Sequence, residues 1–488
     1  MSDRLSPRDL AFLTQETAAA PRQVASIDIL DPGGDDESAF DYEAFLALVA
    51  DRLAFVPRYR QRVQTVPGRL ANPVWADDAR FDLEYHVRRS ALPRPGSMDQ
   101  LRELVARIVS RPLDRSRPLW EMYVVEGLAE GRVAILAKAH QALVDGVNTV
   151  DLGQLLLDVR PDAAPAVEDG WEPRPASRPR LVFGAVRDTL TGVDTLSQTA
   201  RTKGGLVLRH AAEALAVGGT VLRTLTGRRS DRPTPLTGPL SQQRLFVPLE
   251  TDLADFRRIR DVRGGTVNDV ILAVVTGGLR AWLMTRAESL AGLRRVPAVV
   301  PVSVIDEELE PTALGSMIAP HFVELPVGET SPVVRLHQVS YSFEKHKETS
   351  RVVGADRLAG ITGFAPATFH MIGARVASES RTEHLLSVCN VPGPQTPRYA
   401  AGARLVASYP VHPLEPGHAL AVGVTSYDGK VFFGVTADRD LVPDAHVLGQ
   451  CLREALDELL DTVSGTRQRA PRGRARTKSQ PSTRGGAT

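Results

Sequence analysis

A proline-rich segment about one third of the way along the chain limits what this sequence can fold into. Residues 161–180 (PDAAPAVEDGWEPRPASRPR) show neither strand nor helix periodicity and have the composition of a linker. The regions on either side alternate strand and helix patterns, and no repeat of fixed period is found. The sequence therefore predicts two mixed α/β lobes over residues 1–160 and 243–464, with a connection at 161–242 and a tail at 465–488.

Local patterns support both lobes. Ser97 and Gln100 have the spacing of a capping box, followed by apolar residues at helical intervals. Asp428-Gly429, between two alternating apolar runs, predicts a tight β-hairpin. A last amphipathic helix is predicted over about residues 444–460. Since the chain has 488 residues, each lobe is long enough to bury its own core.

Composition narrows the class of protein. The chain has 43% apolar and 24% charged residues, which is typical of soluble proteins, and two cysteines are too few for a disulfide framework. The start MSDRLSPRDL lacks the apolar core of a signal peptide, and no run of 18 apolar residues occurs. We expect a cytoplasmic protein, with peripheral contact at the inner face of the plasma membrane as an alternative.

Two basic segments leave alternatives open. Residues 181–226 have a helical apolar pattern among many arginines, which is compatible with a helix on an anionic membrane or lipid droplet surface, or with one packed on the protein. The tail from residue 465 carries seven basic residues and no acid, which indicates a solvated, unfolded segment, with contact to anionic lipid or nucleic acid as the alternative. Without it the body has 52 basic and 58 acidic residues, so no nucleic-acid partner is expected.

The stretch AKAHQALVDGVNTV at residues 137–150 is the main candidate site. An apolar strand runs into His140 and Gln141, and Asp145-Gly146 then turns the chain into a helix. Because side chains alternate along a strand, His140 and Gln141 point to opposite faces. A histidine can take a hydroxyl proton near neutral pH, whereas a glutamine has no basic nitrogen and can only orient or donate a hydrogen bond.

Several other chemistries have no support in the sequence. G-x-S-x-G, P-loop and G-x-G-x-x-G motifs are not found. The histidines are scattered and the two cysteines are far apart, so we expect no metal site. Cys389, in the apolar run LLSVCNVPGP, is typical of a buried small residue rather than a nucleophile.

The segment from His140 to Gly146 resembles the H-H-x-x-x-D-G motif of the bacterial wax ester synthase/diacylglycerol acyltransferase family, within the superfamily of chloramphenicol acetyltransferase-like enzymes and condensation domains. Further segments resemble that family in the same order along about 460 residues. They are SPRDLAFLTQE (6–16), FDLEYHVRRSALPRPGS (81–97), Pro118, Leu119 and Trp120 as its P-L-W motif, NDVILA from Asn268 with Asp269, CNVPGPQTPRYAAGARL with Asn390, and SYDGKVFFGVTADRDLVPD from Ser426.

The resemblance implies two chloramphenicol acetyltransferase-like α/β lobes around a central tunnel. Acyl-CoA and an acceptor, diacylglycerol or a long-chain alcohol, would meet at the motif, and a long acyl chain would pass directly between them without a cofactor. In the family the second histidine is the base, the first supports it, and the aspartate holds local structure. Gln141 stands at the position of the base, His140 at that of the first histidine, and Asp145 and Gly146 match.

This departure leaves more than one function open. The chain is an acyltransferase that works through His140 or with help from solvent or substrate, or it is a non-catalytic relative that binds acyl-CoA or neutral lipid. A condensation-like enzyme with an unusual acceptor is the third hypothesis. Structural roles are favoured for the other motifs: Leu119 and Trp120 as core residues, and Asp269 as a helix cap.

Overall fold

The architecture consists of two six-stranded mixed sheets, each with its own hydrophobic core. The protein is seen in a computed structural model that describes residues 3–5, 7–33, 40–67, 72–143, 156–162, 171–174, 234–287, 293–303, 318–349 and 384–464. The predictions for Asp145, Gly146, the basic segment 181–226 and the tail 465–488 lie outside the described residues.

The first sheet has the strand order β12-β13-β2-β7-β6-β5, in which only β5 and β6 run parallel. A small antiparallel sheet, β1-β4-β3, accompanies it. The strands up to residue 140 are β1 (Asp3–Arg4), β2 (Gln23–Asp31), β3 (Gln61–Gln64), β4 (Val74–Asp77), β5 (Val87–Ala91), β6 (Trp120–Glu126) and β7 (Val133–His140). The helices are α1 (Pro7–Gln15), α2 (Tyr42–Arg52), α3 (Leu83–His86) and α4 (Met98–Val109), with 3-10 turns at Leu53–Phe55, Pro57–Arg60 and Ala129–Gly131.

The second sheet has the order β10-β9-β11-β14-β15-β8, with β11 parallel to both of its neighbours. The strands after residue 243 are β8 (Arg244–Asp252), β9 (Val296–Ser303), β10 (Ile318–Leu325), β11 (Leu386–Pro392), β12 (Tyr399–Ala400), β13 (Ala403–Val411), β14 (Leu420–Tyr427) and β15 (Lys430–Asp438). The helices are α5 (Leu253–Arg263), α6 (Val267–Thr285), α7 (Pro332–Thr349) and α8 (Ala445–Val463).

Local sequence signals account for several of these elements. Ser97 and Gln100 form the expected capping box of α4, and the β14–β15 hairpin turns at Asp428 and Gly429, both at positive φ. Among the described residues, α6 is long and apolar enough to cross a membrane by length and composition, and 72% of its most apolar window is buried in the protein. This helix therefore fills the core of the second lobe.

A strand from the second half of the chain extends the sheet of the first lobe. Although β13 belongs to the second half of the sequence, it pairs antiparallel with β2 and so extends the first sheet. The division at residue 243 did not anticipate this pairing. Tyr427 and Phe432 of the second sheet pack into the core of the first lobe, and the rings of Phe432 and Tyr409 lie 5.2 Å apart. The lobes are thus joined by backbone pairing as well as by apolar contact.

The close crossing of β13 over the second sheet requires two glycines. Gly423 on β14 and Gly434 on β15 are register partners in the second sheet, and β13 passes over both at Pro410. A Cβ at residue 434 would lie 1.8 Å from the Pro410 carbonyl oxygen, and one at residue 423 would lie 2.8 Å from a Pro410 ring carbon. The paired glycines therefore form a notch that lets the backbones approach.

We predict that Gly434→Ala destabilises the protein by about 1–3 kcal/mol or more, because a backbone carbonyl must move to admit the methyl group. The measurement is the urea midpoint of unfolding. Gly423→Ala is the matched comparison, and a smaller loss is expected because its methyl group meets ring carbons of Pro410 and His412. An unchanged midpoint for Gly434→Ala would contradict the close crossing of the strands.

Candidate functional site

The motif residues follow the end of β7 and are held there from both sides. His140 is the register partner of Gln23 on β2, and the Gln141 N–H donates to the carbonyl of Arg22 at 2.9 Å. On the other side, the His140 N–H donates to the Leu119 carbonyl at 2.9 Å. The backbone of the site is therefore fixed by strand pairing, with the P-L-W segment beside it.

His140 is buried, and both of its ring nitrogens face protein groups. Nδ1 accepts a hydrogen bond of 3.0 Å from the Ala142 N–H, so its lone pair is occupied and the neutral ring carries its proton on Nε2. Nε2 lies 3.7 Å from Glu16 Oε2, which is too long for a hydrogen bond, and the two groups form an ion pair only when the ring is protonated. The Nδ1 lone pair of His140 is therefore already engaged by the backbone.

Glu16, in the segment after α1, connects His140 to two arginines. Its Oε1 accepts from the Arg22 N–H at 3.0 Å, and its Oε2 accepts from Arg115 Nε at 3.0 Å. Burial raises the pKa of the Glu16 carboxyl, but His140, Arg115 and the Arg22 N–H outweigh burial and lower the pKa to about 2. Glu16 is thus a permanent carboxylate at physiological pH.

Gln141 lies at the contact between the lobes. The Gln141 side chain is buried. The last register pair of β2 and β7 is Gln23 with His140, and the next residues, Arg22 and Gln141, are joined by their backbones. Continuing the strand alternation places the side chains of Arg22 and Gln141 on the same face of the sheet. The Arg22 guanidinium forms a buried ion pair with Glu415, in the loop after β13, and donates to Gln15 Oε1 at 3.3 Å. The Gln141 backbone is therefore bonded to a residue whose side chain pairs with the other half of the chain.

The P-L-W segment is part of the core. Pro118, Leu119 and Trp120 are buried, and the Trp120 indole N–H donates to the Tyr59 carbonyl at 2.7 Å. His86 stacks on Trp120 with ring centroids 4.7 Å apart, and its Nδ1 lies 2.7 Å from the Trp120 carbonyl oxygen. These residues reach the motif through one backbone contact, the Leu119 carbonyl that accepts from His140.

Asn268, Asp269 and Asn390 come together in the second lobe. Asn390 Nδ2 donates to Asn268 Oδ1 at 2.9 Å, which links β11 to the first turn of α6. Asp269 completes a capping box with Thr266 and accepts from Ser340 Oγ at 3.1 Å. Within the part of the chain that the structure describes, no hydrogen bond connects these residues to His140 or Gln141.

Three charged residues of the site are not among those predicted from the sequence. Glu16, Arg22 and Glu415 were not singled out, although Glu16 ends the segment SPRDLAFLTQE. The sequence signal that could have identified these residues is the presence of charged side chains directly beside apolar runs. Cys389 is fully buried and burial raises the pKa of its thiol, which confirms that it is a structural residue. Among the described residues, no group of three His, Cys, Asp or Glu side chains could hold a metal ion.

We predict a pH-dependent loss of stability in Glu16→Gln. Because the folded pKa is about 2 and the reference pKa is 4.5, the charged carboxylate contributes stability above about pH 4.5 that is lost as the pH falls towards 2. Allowing for partial solvation, the variant should unfold about 2 kcal/mol more easily at pH 7, and by about half that or less at pH 3. Urea titrations at both pH values measure this. Glu103→Gln, on exposed α4 surface, is the control; a difference that does not shrink with acid would contradict the assignment.

Comparison with known proteins places this geometry in a family. A profile of the wax ester synthase/diacylglycerol acyltransferase catalytic domain matches residues 5–271, and a profile of the WS/DGAT C-terminal domain matches residues 314–460. A Mycobacterium tuberculosis protein named diacylglycerol O-acyltransferase is 32% identical over 482 residues, which cover 94% of this chain and 90% of the relative. The M. tuberculosis diacylglycerol O-acyltransferase tgs3 is 42% identical over 53% of this chain and 96% of its own.

Solved structures of similar fold support the same family assignment. The wax ester synthase/diacylglycerol acyltransferase from Marinobacter aquaeolei has a TM-score of 0.64 at 26% identity, over 94% of this chain and 99% of its own. The first condensation domain of the calcium-dependent antibiotic synthetase shares the fold alone, with a TM-score of 0.54 at 15% identity over 95% of this chain and 97% of its own. The chain belongs to the wax ester synthase/diacylglycerol acyltransferase family and has its condensation-domain-like fold of two α/β lobes.

Proposed function

We propose that this protein transfers a long acyl chain from acyl-CoA to the hydroxyl group of diacylglycerol or a fatty alcohol, forming triacylglycerol or a wax ester, and that it does so without a histidine base. The observation that carries the proposal is the placement of Gln141, buried at the lobe contact and fixed by its backbone bond to Arg22. Two M. tuberculosis relatives named diacylglycerol O-acyltransferases support the substrate class.

In the proposed reaction the acceptor oxygen attacks the thioester carbonyl carbon, a C–O bond forms and the C–S bond breaks. The Gln141 amide oxygen can accept a hydrogen bond from the acceptor hydroxyl and so orient its oxygen, but it cannot take the proton. The hydroxyl proton goes to the departing CoA thiolate, directly or through water, so that the products are an ester and CoA thiol. Positioning of the two reactants supplies the main acceleration.

His140 has a supporting part in this proposal. Its Nδ1 is occupied by the Ala142 N–H, and Glu16 lies beyond Nε2, so its lone pair is not offered to a substrate. The neighbouring Lys138 ammonium is likewise engaged, with Glu121 Oε2 at 3.3 Å and the Arg111 carbonyl at 3.0 Å. These contacts favour a mechanism in which neither side chain replaces the missing base.

A second candidate is a non-catalytic protein that binds acyl-CoA or neutral lipid as a sensor, a carrier or a partner of an active enzyme. The same occupied Nδ1 of His140, beside Gln141, favours it. A binding protein of this kind differs from the acyltransferase in one measurable outcome. The wild-type protein binds acyl-CoA saturably but releases no CoA in the presence of any acceptor.

We predict that Gln141→His raises kcat for palmitoyl transfer to diacylglycerol by about 10²–10⁴, because it restores a general base at the end of β7. The measurement is release of free CoA thiol from palmitoyl-CoA in mixed micelles. Gln141→Asn is the matched control, since it retains an amide without adding a base. If Gln141→His is no faster than Gln141→Asn, residue 141 is not beside the acceptor hydroxyl and the proposed geometry is wrong.

A further inference from the structure

A basic cleft of about 920 Å³ lies between the lobes. The α4 helix forms one wall, and the start of β8 with the segment leading into α8 forms the other. One glutamate, Glu103, lines the cleft together with five arginines: Arg102, Arg107, Arg111, Arg244 and Arg439. Such an excess of one charge sign in a concave surface favours an anionic ligand.

Much of this positive charge is not neutralised locally. Arg244 is buried and paired with Asp438 at 3.1 Å, and Arg102 is paired with Asp99 at 3.2 Å. Arg107, Arg111 and Arg439 are exposed, and in the described part of the chain none of these three forms an ion pair. Three guanidinium groups thus face the cleft with hydrogen-bond donors available for a ligand.

The second lobe adds a helix N-terminus to the same cleft. Pro443 and His446, at the beginning of α8, line it. The side chain of Asp444, the residue before the helix, is turned towards Trp282 Nε1, at 3.1 Å, and Arg286. The positive end of the α8 dipole therefore reinforces the field of the arginines.

The inner wall of the cleft is tied to the candidate site. Gln23, the register partner of His140, donates through Nε2 to the carbonyls of Val109 at 2.8 Å and Arg111 at 2.7 Å. A separate small cavity of about 20 Å³ is lined by Gln23 and Arg244, and Arg244 also lines the cleft. Gln23 thus links the C-terminal end of α4 to the strand end that carries the motif.

We propose that this cleft binds the diphosphate and 3′-phosphate groups of CoA and is the donor end of the inter-lobe passage. The inference rests on the proposed acyl transfer. Arginine binds phosphate oxygens in bidentate fashion, and Arg107 and Arg111 are exposed. Arg439 donates through Nη1 to Gln243 Oε1 at 3.1 Å and keeps further N–H donors for a phosphate. For the pantetheine arm to reach the motif from the cleft, the buried Gln23 side chain has to release the Val109 and Arg111 carbonyls. Diacylglycerol and fatty alcohols carry no charge, so the basic wall gives them no comparable binding energy.

A second basic cleft in the same chain offers an internal control. It has a volume of about 500 Å³ and is lined by Arg280, Arg294 and Arg295 together with Glu329. All of its lining residues belong to the second lobe, and neither α4 nor β2 contributes to it. A substitution there changes the net charge of the protein equally but leaves the inter-lobe cleft intact.

The test compares Arg107→Glu and Arg439→Glu, singly and together, with Arg294→Glu. CoA binding is measured by calorimetry, and KM and kcat by CoA release from palmitoyl-CoA. Each substitution in the inter-lobe cleft should weaken CoA binding and raise KM by about tenfold, with kcat unchanged within about twofold, because a charge-assisted contact to phosphate is lost. Arg294→Glu should match the wild type.

The outcomes separate this inference from the proposed function. If the wild type binds and uses acyl-CoA and the inter-lobe variants do so equally well, the cleft assignment is overturned while the acyl transfer stands. If the wild-type protein neither binds CoA nor releases it, the proposed function fails and the assignment with it. If the variants keep their CoA affinity but no longer sediment with phosphatidylglycerol vesicles, the cleft recognises the phosphates of a lipid surface and the CoA assignment is wrong.

Discussion

The crossing of β13 over the second sheet is the constraint on which the rest of the structure depends. Because β13 completes the first sheet beside β2 and passes over Gly423 and Gly434, the first lobe cannot form its full sheet from the first half of the chain alone. The same crossing brings the loop with Glu415 to Arg22, directly beside Gln141. A site at a lobe contact is usually mobile, whereas here backbone pairing and a buried ion pair fix it.

Charge distribution then gives the two sides of the motif different properties. On the His140 side lie Glu16, Arg115 and the basic wall of α4, and on the Gln141 side lies the neutralised pair Arg22–Glu415. In the proposed reaction, an anionic donor and an uncharged acceptor would therefore prefer different approaches to this strand end. In that reaction Gln141 can orient the acceptor hydroxyl group. What the site lacks is the rate acceleration that a general base gives by removing the hydroxyl proton.

Local features could be predicted from the sequence, and pairings over long distances could not. The capping box at Ser97, the helix cap at Asp269 and the hairpin at Asp428-Gly429 depend on residues a few positions apart, and the structure confirms them. Arg22 and Glu415, by contrast, are 393 residues apart, and a single sequence carries no sign of their pairing. Asn268 and Asn390 were each singled out, but their mutual hydrogen bond depends on how β11 and α6 pack. The motif was found because strand, histidine and Asp-Gly turn lie within one short segment.

The central claim is that acyl transfer in this protein proceeds without a histidine base, and the pH dependence of the wild-type reaction tests it most directly. Single-turnover transfer from palmitoyl-CoA to diacylglycerol, with enzyme in excess, should show no acid limb with the ordinary histidine midpoint of about 6.5. The logarithm of the rate should instead stay flat or rise steadily up to about pH 8. A limb near pH 6.5 that levels to a plateau, and that disappears in His140→Asn, would show that His140 is the base and contradict the account.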